Sequence, residues 1–559
     1  MRSILVALTI IAILTRFVML NYPRQVVFDE FHFGKFINGY LTGEYFFDIH
    51  PPLGKLLLAF SGWLGGYDGK SMAWAAIGDS IPPDVNLFSL RAVPALQGSL
   101  LVPLVYLTAR ELGISPAGAL LPACGVLFDL CFLIESRLVL TDATLFCAVV
   151  LQLYASASSD KFEPLTLSWT LRTALAGLAI GIAVSTKWTG ASTVAVAGLH
   201  SLVALWRTLT FERSYPSPWR RVLSSLLCQA VVRAMLLLAV PLTMYISSFY
   251  VHFALLPRTG SGASFMKPNF RATLAGDKVN ATVLEKLVTL GKIQSTELPT
   301  FWSKFIELNQ EMLRANSQIR NQHIWGSNWW EWPLMQRSVL YWKPPHAQPP
   351  YATDALPYAR IYCIGSPLVW WMAAVAPSLI VAMLLSSFFA FASLPSWPPS
   401  RNDTTDQKSS SSEGPARVCG ALGGCSHLEL GRVQLLLGYL INWLPFIMVE
   451  RVAFLYHFLP SLLFALMLLG VGFDAAIPSK AALLRSSDRQ VSSKAHDAAA
   501  GVSEPMYRLA LDEGNVRWIA AAGIVAAMSL FFAFFAPLVY GPPMTHADFK
   551  ARMWLKTWE

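Results

Sequence analysis

The sequence predicts an all-α membrane protein with about eleven transmembrane helices and shorter helices lying along one membrane face. Three observations carry that prediction. The mean hydropathy is +0.46 over 559 residues. Hydrophobic residues make up 54% of the chain and charged residues 14%, against about 25% charged in a soluble domain. Apolar runs long enough to cross a bilayer, about 20 residues each, recur along the chain. One soluble core stops growing near about 250–300 residues, so lipid must serve as solvent for most of these side chains. The net charge of +9 then sets orientation and meets lipid headgroups. No nucleic-acid partner is expected.

The runs fall near 3–20, 93–111, 116–134, 139–157, 168–185, 188–206, 226–249, 363–392, 432–449, 452–474 and 517–538. Arg2 and the apolar stretch after it have the look of a signal peptide. However, Arg16 interrupts the run and no small-x-small cleavage site follows, so residues 3–20 are read as an uncleaved first span. Residues 53–66 are apolar but short and glycine-rich, which suits an interfacial helix. The seven cysteines are scattered and show no metal spacing.

Lysine and arginine in the loops set the orientation. Arg207, Arg213, Arg220 and Arg221 mark one loop, and Lys480, Arg485, Arg489, Lys494 and Arg508 mark the linker 476–516. Placing both in the cytosol puts the N-terminus there and the C-terminus on the opposite face. The chain then divides into an N-terminal transmembrane region (residues 1–250) with an outer loop 21–92, an outer loop 251–362, and a C-terminal transmembrane region (residues 363–559). The C-terminal region carries cytosolic linkers 393–431 and 476–516. Arg401 to Pro415 has the composition of a disordered segment. The sequon Asn280-Ala281-Thr282 lies on the outer side, and Asn402-Asp403-Thr404 on the cytosolic side. Lys286 to Asn316 has the spacing of amphipathic surface helices. The aromatic cluster Asn328-Trp329-Trp330-Glu331-Trp332-Pro333 reads either as an interfacial belt or as a platform for sugar or peptide.

Charges beside the spans point to a site. Asp29 and Glu30 begin the run Phe28-Asp29-Glu30-Phe31-His32-Phe33-Gly34-Lys35, and His50 sits in Phe47-Asp48-Ile49-His50-Pro51-Pro52-Leu53-Gly54-Lys55. With the orientation above, Arg16, Arg91, Arg137, Asp142, Lys187 and Arg451 fall at the same membrane end. Snorkelling would account for single cations but not for acids on the same face. Cations around an acidic pair suit a phosphate, which Arg grips as a fork and Lys as a point charge. They also hold a nearby carboxylate ionised and ready to accept a proton. No Asp/Glu/His spacing demands a metal, and a divalent cation is left open.

The run Val27 to Lys55 resembles the protein O-mannosyltransferases. So do Glu135-Ser136-Arg137-Leu138-Val139-Leu140-Thr141-Asp142, Ser185-Thr186-Lys187-Trp188-Thr189-Gly190, Trp329 to Leu334, and Arg451 to Pro460 with Tyr456-His457. The resemblance implies a GT-C type glycosyltransferase of the endoplasmic reticulum membrane. It implies inverting transfer of mannose from dolichyl-phosphate-mannose to Ser or Thr hydroxyls of secretory-pathway proteins, by a dimer of related subunits. It makes Asp29 the general base, and it marks Glu30, Arg16 and Arg91 as positions that matter for activity. Arg137 and Lys187, with Arg91, are expected at the donor phosphate, with Asp142, His50 and Arg451 in the same binding region. Three departures stand out. Asp277 to Gln322 leaves no room for the family's MIR domain, the family's Gln is Glu135 here, and a His near position 456 is Tyr456. Alternatives are a lipid-linked glycosyltransferase of other sugar or acceptor specificity, or a non-catalytic partner subunit. Transport fits less well, because the charges sit at span ends and no internal repeat is visible.

Overall fold

The computed structural model describes residues 1–213, 219–293, 296–320, 323–344, 358–392, 427–477 and 513–559. The stretch Arg401 to Pro415 expected to be disordered, the Asn402 sequon, Cys419, Cys425 and most of both expected cytosolic linkers lie outside them. Nearly all described structure is helical, as the hydropathy requires. Lipid offers no partner for a free backbone amide, so spans close their hydrogen bonds within the helix.

The first half holds α1 (Arg2–Phe17), α2 (Glu30–Thr42), α3 (Leu53–Leu64), α4 (Leu87–Glu111), α5 (Leu120–Phe128) and α6 (Leu130–Glu135). It continues with α7 (Asp142–Ser159), α8 (Leu167–Thr186), α9 (Ser192–Arg213), α10 (Trp219–Ala234) and α11 (Val240–Leu255). The outer loop adds α12 (Pro268–Arg271), α13 (Ala281–Thr289), α14 (Phe301–Ser317) and the strands β1 (Val339–Trp342) and β2 (Ile361–Cys363). The second half holds α15 (Pro367–Ala392), α16 (His427–Trp443), α17 (Leu459–Ala476) and α18 (Glu513–Phe535).

Each expected span meets a helix, with two departures in form. The run 116–134 is broken at Asp129, which is extended (φ −85°, ψ 134°) and separates α5 from α6. The run 226–249 lies inside one continuous 37-residue helix, Trp219–Leu255, that joins α10 and α11. Among the described residues, seven helices are long and apolar enough to cross a membrane. The α5–α6 pair, α1, α7 and α16 are shorter or more polar. Helix α16 opens at His427, inside the stretch that the sequence reading gives to the linker.

Helix α4 packs on α1 and α7, and α7 packs on α8. The halves meet where α17 and α18 pack on α5 and where α16 packs on α9. Helix α17 is the most enclosed of the seven, whereas α18 and the α10–α11 helix present most of their surface outward. The strands β1 and β2 pair antiparallel, with Leu340 opposite Tyr362.

Two local features seat the loops at one end of the bundle. Gly54, at the start of α3, leaves no space for a side chain: a Cβ there would lie 2.7 Å from Thr141 Cγ2 and 3.0 Å from Thr186 Cγ2. That close approach lays the His50 turn against the start of α7 and the end of α8. Asp129 caps α6 by accepting from Phe132 N at 3.0 Å, and it accepts from Ser366 N at 2.9 Å and Trp370 Nε1 at 2.7 Å. The break in the span thereby becomes a joint to α15.

Candidate active site

A cavity of about 550 Å³ lies where the start of α2, the start of α7, the end of α8 and the approach to α17 converge. Asp29, Asp48, His50, Asp142, Lys187 and Arg451 all line it. Leu140, Leu145, Phe146 and Pro460 give it an apolar side.

Asp29 is the N-cap residue of α2, yet its side chain makes no capping bond. Among the described residues no hydrogen bond uses its carboxylate. Burial pushes that carboxyl up to about 7, with Lys187 opposing and Asp142 and Asp48 adding to the rise. A carboxyl so placed is deprotonated in about half the molecules near neutrality and takes up a proton readily. Lys187 sits just past the end of α8 and reaches Asp142 at 2.8 and 2.7 Å. Asp142 is the first residue of α7, where the helix dipole favours an anion. Two of the three ammonium donors suffice for these contacts, which leaves one for a ligand oxygen.

Asp48 accepts from Lys55 Nζ at 2.5 Å and from Ile49 N at 2.8 Å. Burial alone would raise its carboxyl, but the Lys55 ammonium, by its charge and its hydrogen bond, and the Ile49 amide hold it below the ordinary value. Burial pushes His50 down to about 3, so its imidazole is neutral at physiological pH. Arg451 donates to Asn316 Oδ1 at 2.5 Å and contacts His457 Nε2 at 3.3 Å, so it bridges the outer loop to the approach of α17.

The other expected residues sit around this cavity without lining it. Glu30 and Arg91 form a buried bidentate pair at 2.8 and 2.7 Å, and Glu30 also accepts from Val27 N and Val139 N at 3.0 Å each. Arg91 further donates to Leu20 O at 3.0 Å. Arg16 gives its guanidinium to Val126 O at 2.9 Å and Leu127 O at 3.0 Å, carbonyls that the break after α5 leaves without helical donors. Arg137 serves the end of α1 in the same way, donating to Arg16 O at 2.8 Å and Val18 O at 2.6 Å, with its guanidinium over the Tyr540 ring. The guanidiniums of Arg91 and Arg137, expected at the donor phosphate, are thus turned to protein groups.

The cavity also contains residues outside the sequence-derived set: Asp48, Glu135, Tyr456, His323 and His457. Glu135 accepts a hydrogen bond from the Tyr341 hydroxyl. Its signals in the sequence were a carboxylate beside the apolar run 116–134 and the departure there from the family's Gln. His323 carried none. Among the described residues no three His, Cys, Asp or Glu side chains converge to hold a metal.

Two family profiles cover nearly the whole chain. One, described as dolichyl-phosphate-mannose-protein mannosyltransferase, matches residues 6–257, and the other, the C-terminal four-transmembrane region of protein-O-mannosyltransferase, matches residues 301–558. The chain belongs to the protein O-mannosyltransferase family. Among curated family members, it is 40% identical over 276 residues to dolichyl-phosphate-mannose--protein mannosyltransferase 4 of Candida albicans, covering 48% of this chain and 35% of that one. It is 36% identical over 306 residues to protein O-mannosyl-transferase 1 of Rattus norvegicus, covering 53% and 40%. The chain thus matches well under half the length of these relatives. Among solved structures it resembles the S. cerevisiae protein O-mannosyltransferase Pmt1-Pmt2 complex bound to the sugar donor. The TM-score is 0.78 at 20% identity, covering 100% of this chain and 92% of that one. That likeness is one of fold, the GT-C type expected for the family.

Proposed function

We propose that this multi-span family member transfers mannose from dolichyl-phosphate-mannose to Ser or Thr hydroxyls of proteins, with inversion. One observation carries the reading. An unpartnered, proton-hungry carboxylate, Asp29, shares a cavity with a lysine that has a donor to spare, and the cavity has an apolar side.

Asp29 takes the proton from the acceptor hydroxyl. The hydroxyl oxygen forms its bond to the anomeric carbon as the bond from that carbon to the phosphate oxygen breaks, and the electron pair leaves with dolichyl phosphate. Lys187, steadied by Asp142, meets the charge growing on the leaving phosphate. Such preorganised stabilisation is worth most where water is excluded. Arg451 lines the same cavity. Glu30, Arg91, Arg16 and Arg137 act indirectly, by fixing the loop and the helix ends on which the site is built.

The proposal extends to place and partners. The site faces the lumen of the endoplasmic reticulum, with the N-terminus cytosolic and the C-terminus lumenal, and a related subunit completes a dimer. The test uses the purified chain, labelled dolichyl-phosphate-mannose and a Ser/Thr-rich peptide. Transfer is expected, and Asp29→Asn should lower its rate about 10²–10⁴-fold, as for a lost general base. Undiminished transfer by Asp29→Asn refutes the base. No transfer by the wild-type chain alone, restored by a related subunit carrying its own intact Asp, points instead to a supporting subunit.

A further inference from the structure

The Asp29 loop is held by a strand that lies far from it in sequence. Phe28 has φ +49°, in the left-handed region that a bulky side chain rarely enters. Something must hold it there, and the contacts come from β1. Phe28 N donates to Tyr341 O at 3.0 Å. The Phe28 and Tyr341 rings stack with centroids 3.8 Å apart and planes 5° apart. The next residue, Trp342, donates its indole N–H to Gln25 Oε1 at 2.9 Å. The Tyr341 hydroxyl in turn donates to Glu135, a second carboxylate of the cavity. Tyr341 is 1% exposed, and β1 is itself tied to β2. One side chain from the outer loop therefore touches two supports of the site. It stacks on the residue that precedes Asp29, and it bonds the carboxylate that ends α6.

We infer that Tyr341 is a positioning residue, which aims Asp29 through Phe28 and fixes Glu135 through its hydroxyl. The inference rests on the reading of Asp29 as the proton acceptor. The two contacts separate by substitution. Tyr341→Phe keeps the stack and loses the hydroxyl, whereas Tyr341→Leu loses both.

The experiment measures kcat, donor KM and the pH dependence of kcat for the purified full chain with dolichyl-phosphate-mannose and a Ser/Thr peptide. Tyr341→Leu is expected to lower kcat at least about tenfold, since a displacement near 1 Å at a reacting group can cost about 10²-fold, and to move the rising limb of the profile. Tyr341→Phe is expected to keep kcat and that limb and to raise donor KM. A purely structural role would lower thermal stability while leaving the limb in place. Wild-type kcat and limb in Tyr341→Leu overturn the inference, as does equal damage to kcat in both variants. Should Tyr341→Leu not fold, Phe28→Leu removes the stack from the other side, and a wild-type kcat and limb there overturn it equally. Asp29→Asn is run alongside. Full activity in that variant defeats the base assignment and with it the positioning role, whereas a silent Tyr341→Leu beside an inactive Asp29→Asn defeats only the positioning role.

Discussion

Asp29 and Glu30 are neighbours in sequence with opposite surroundings. Glu30 accepts from Nε and Nη2 of Arg91 and from two backbone amides. Deleting one member of such a buried pair strands the other. Asp29 has none of these partners and faces the cavity. The sequence marked the acidic pair, and the helix start turns the two successive side chains about 100° apart, into different surroundings. The sequence did not reveal which cations face inward. Arg16, Arg91 and Arg137 share the membrane end of Lys187, but a guanidinium's choice between a ligand and a backbone carbonyl depends on where helices end in space. The sign of one pH effect follows from these contacts. Asp29 sits near 7 because burial raises it while Lys187 lowers it, and a base must be deprotonated to work. The kcat/KM of the free enzyme should therefore rise with pH through about 7 and then level off. Lys187→Met removes the lowering cation and exposes Asp29 to the bare Asp142, so the limb should move to higher pH. A pH–rate profile of the two proteins checks this, and an unmoved limb contradicts it.

At the level of elements, each apolar run read from hydropathy meets a helix among the described residues, seven of them long and apolar enough to cross a membrane, but hydropathy concealed the interruptions. A window of about 20 residues averages Asp129 into its apolar neighbours, so 116–134 reads as one helix. The carboxylate instead ends α5, caps α6 and binds α15. The contact between Phe28 and Tyr341 was equally hidden. It joins residues 313 positions apart through a four-residue strand that has no period to recognise. Asp129→Ala should leave three buried N–H donors without their acceptor, at about 1–3 kcal/mol each. The expected result is a clear drop in the thermal unfolding temperature of the detergent-solubilised protein. An unchanged temperature would show that the joint is not needed.

Across the whole molecule, the loops that build the cavity all lie on one membrane face in the proposed orientation, and the sequon at Asn280 shares that face. Asn280 is exposed and extended (φ −124°, ψ −177°) at the start of α13. It is therefore expected to carry an N-linked glycan, read as a mobility shift that endoglycosidase or Asn280→Gln abolishes. A glycan on Asn402 instead would invert the orientation. The cavity draws its walls from both halves: Asp29, His50 and Lys187 come from the first, and Arg451, Tyr456 and Pro460 from the second. Biosynthesis therefore meets an order of assembly. A nascent chain delivers its proton acceptor into the membrane long before the ribosome has made the opposite wall. Until that wall arrives the half-made chain has no enclosed pocket, so the proposed transfer must wait for the second half.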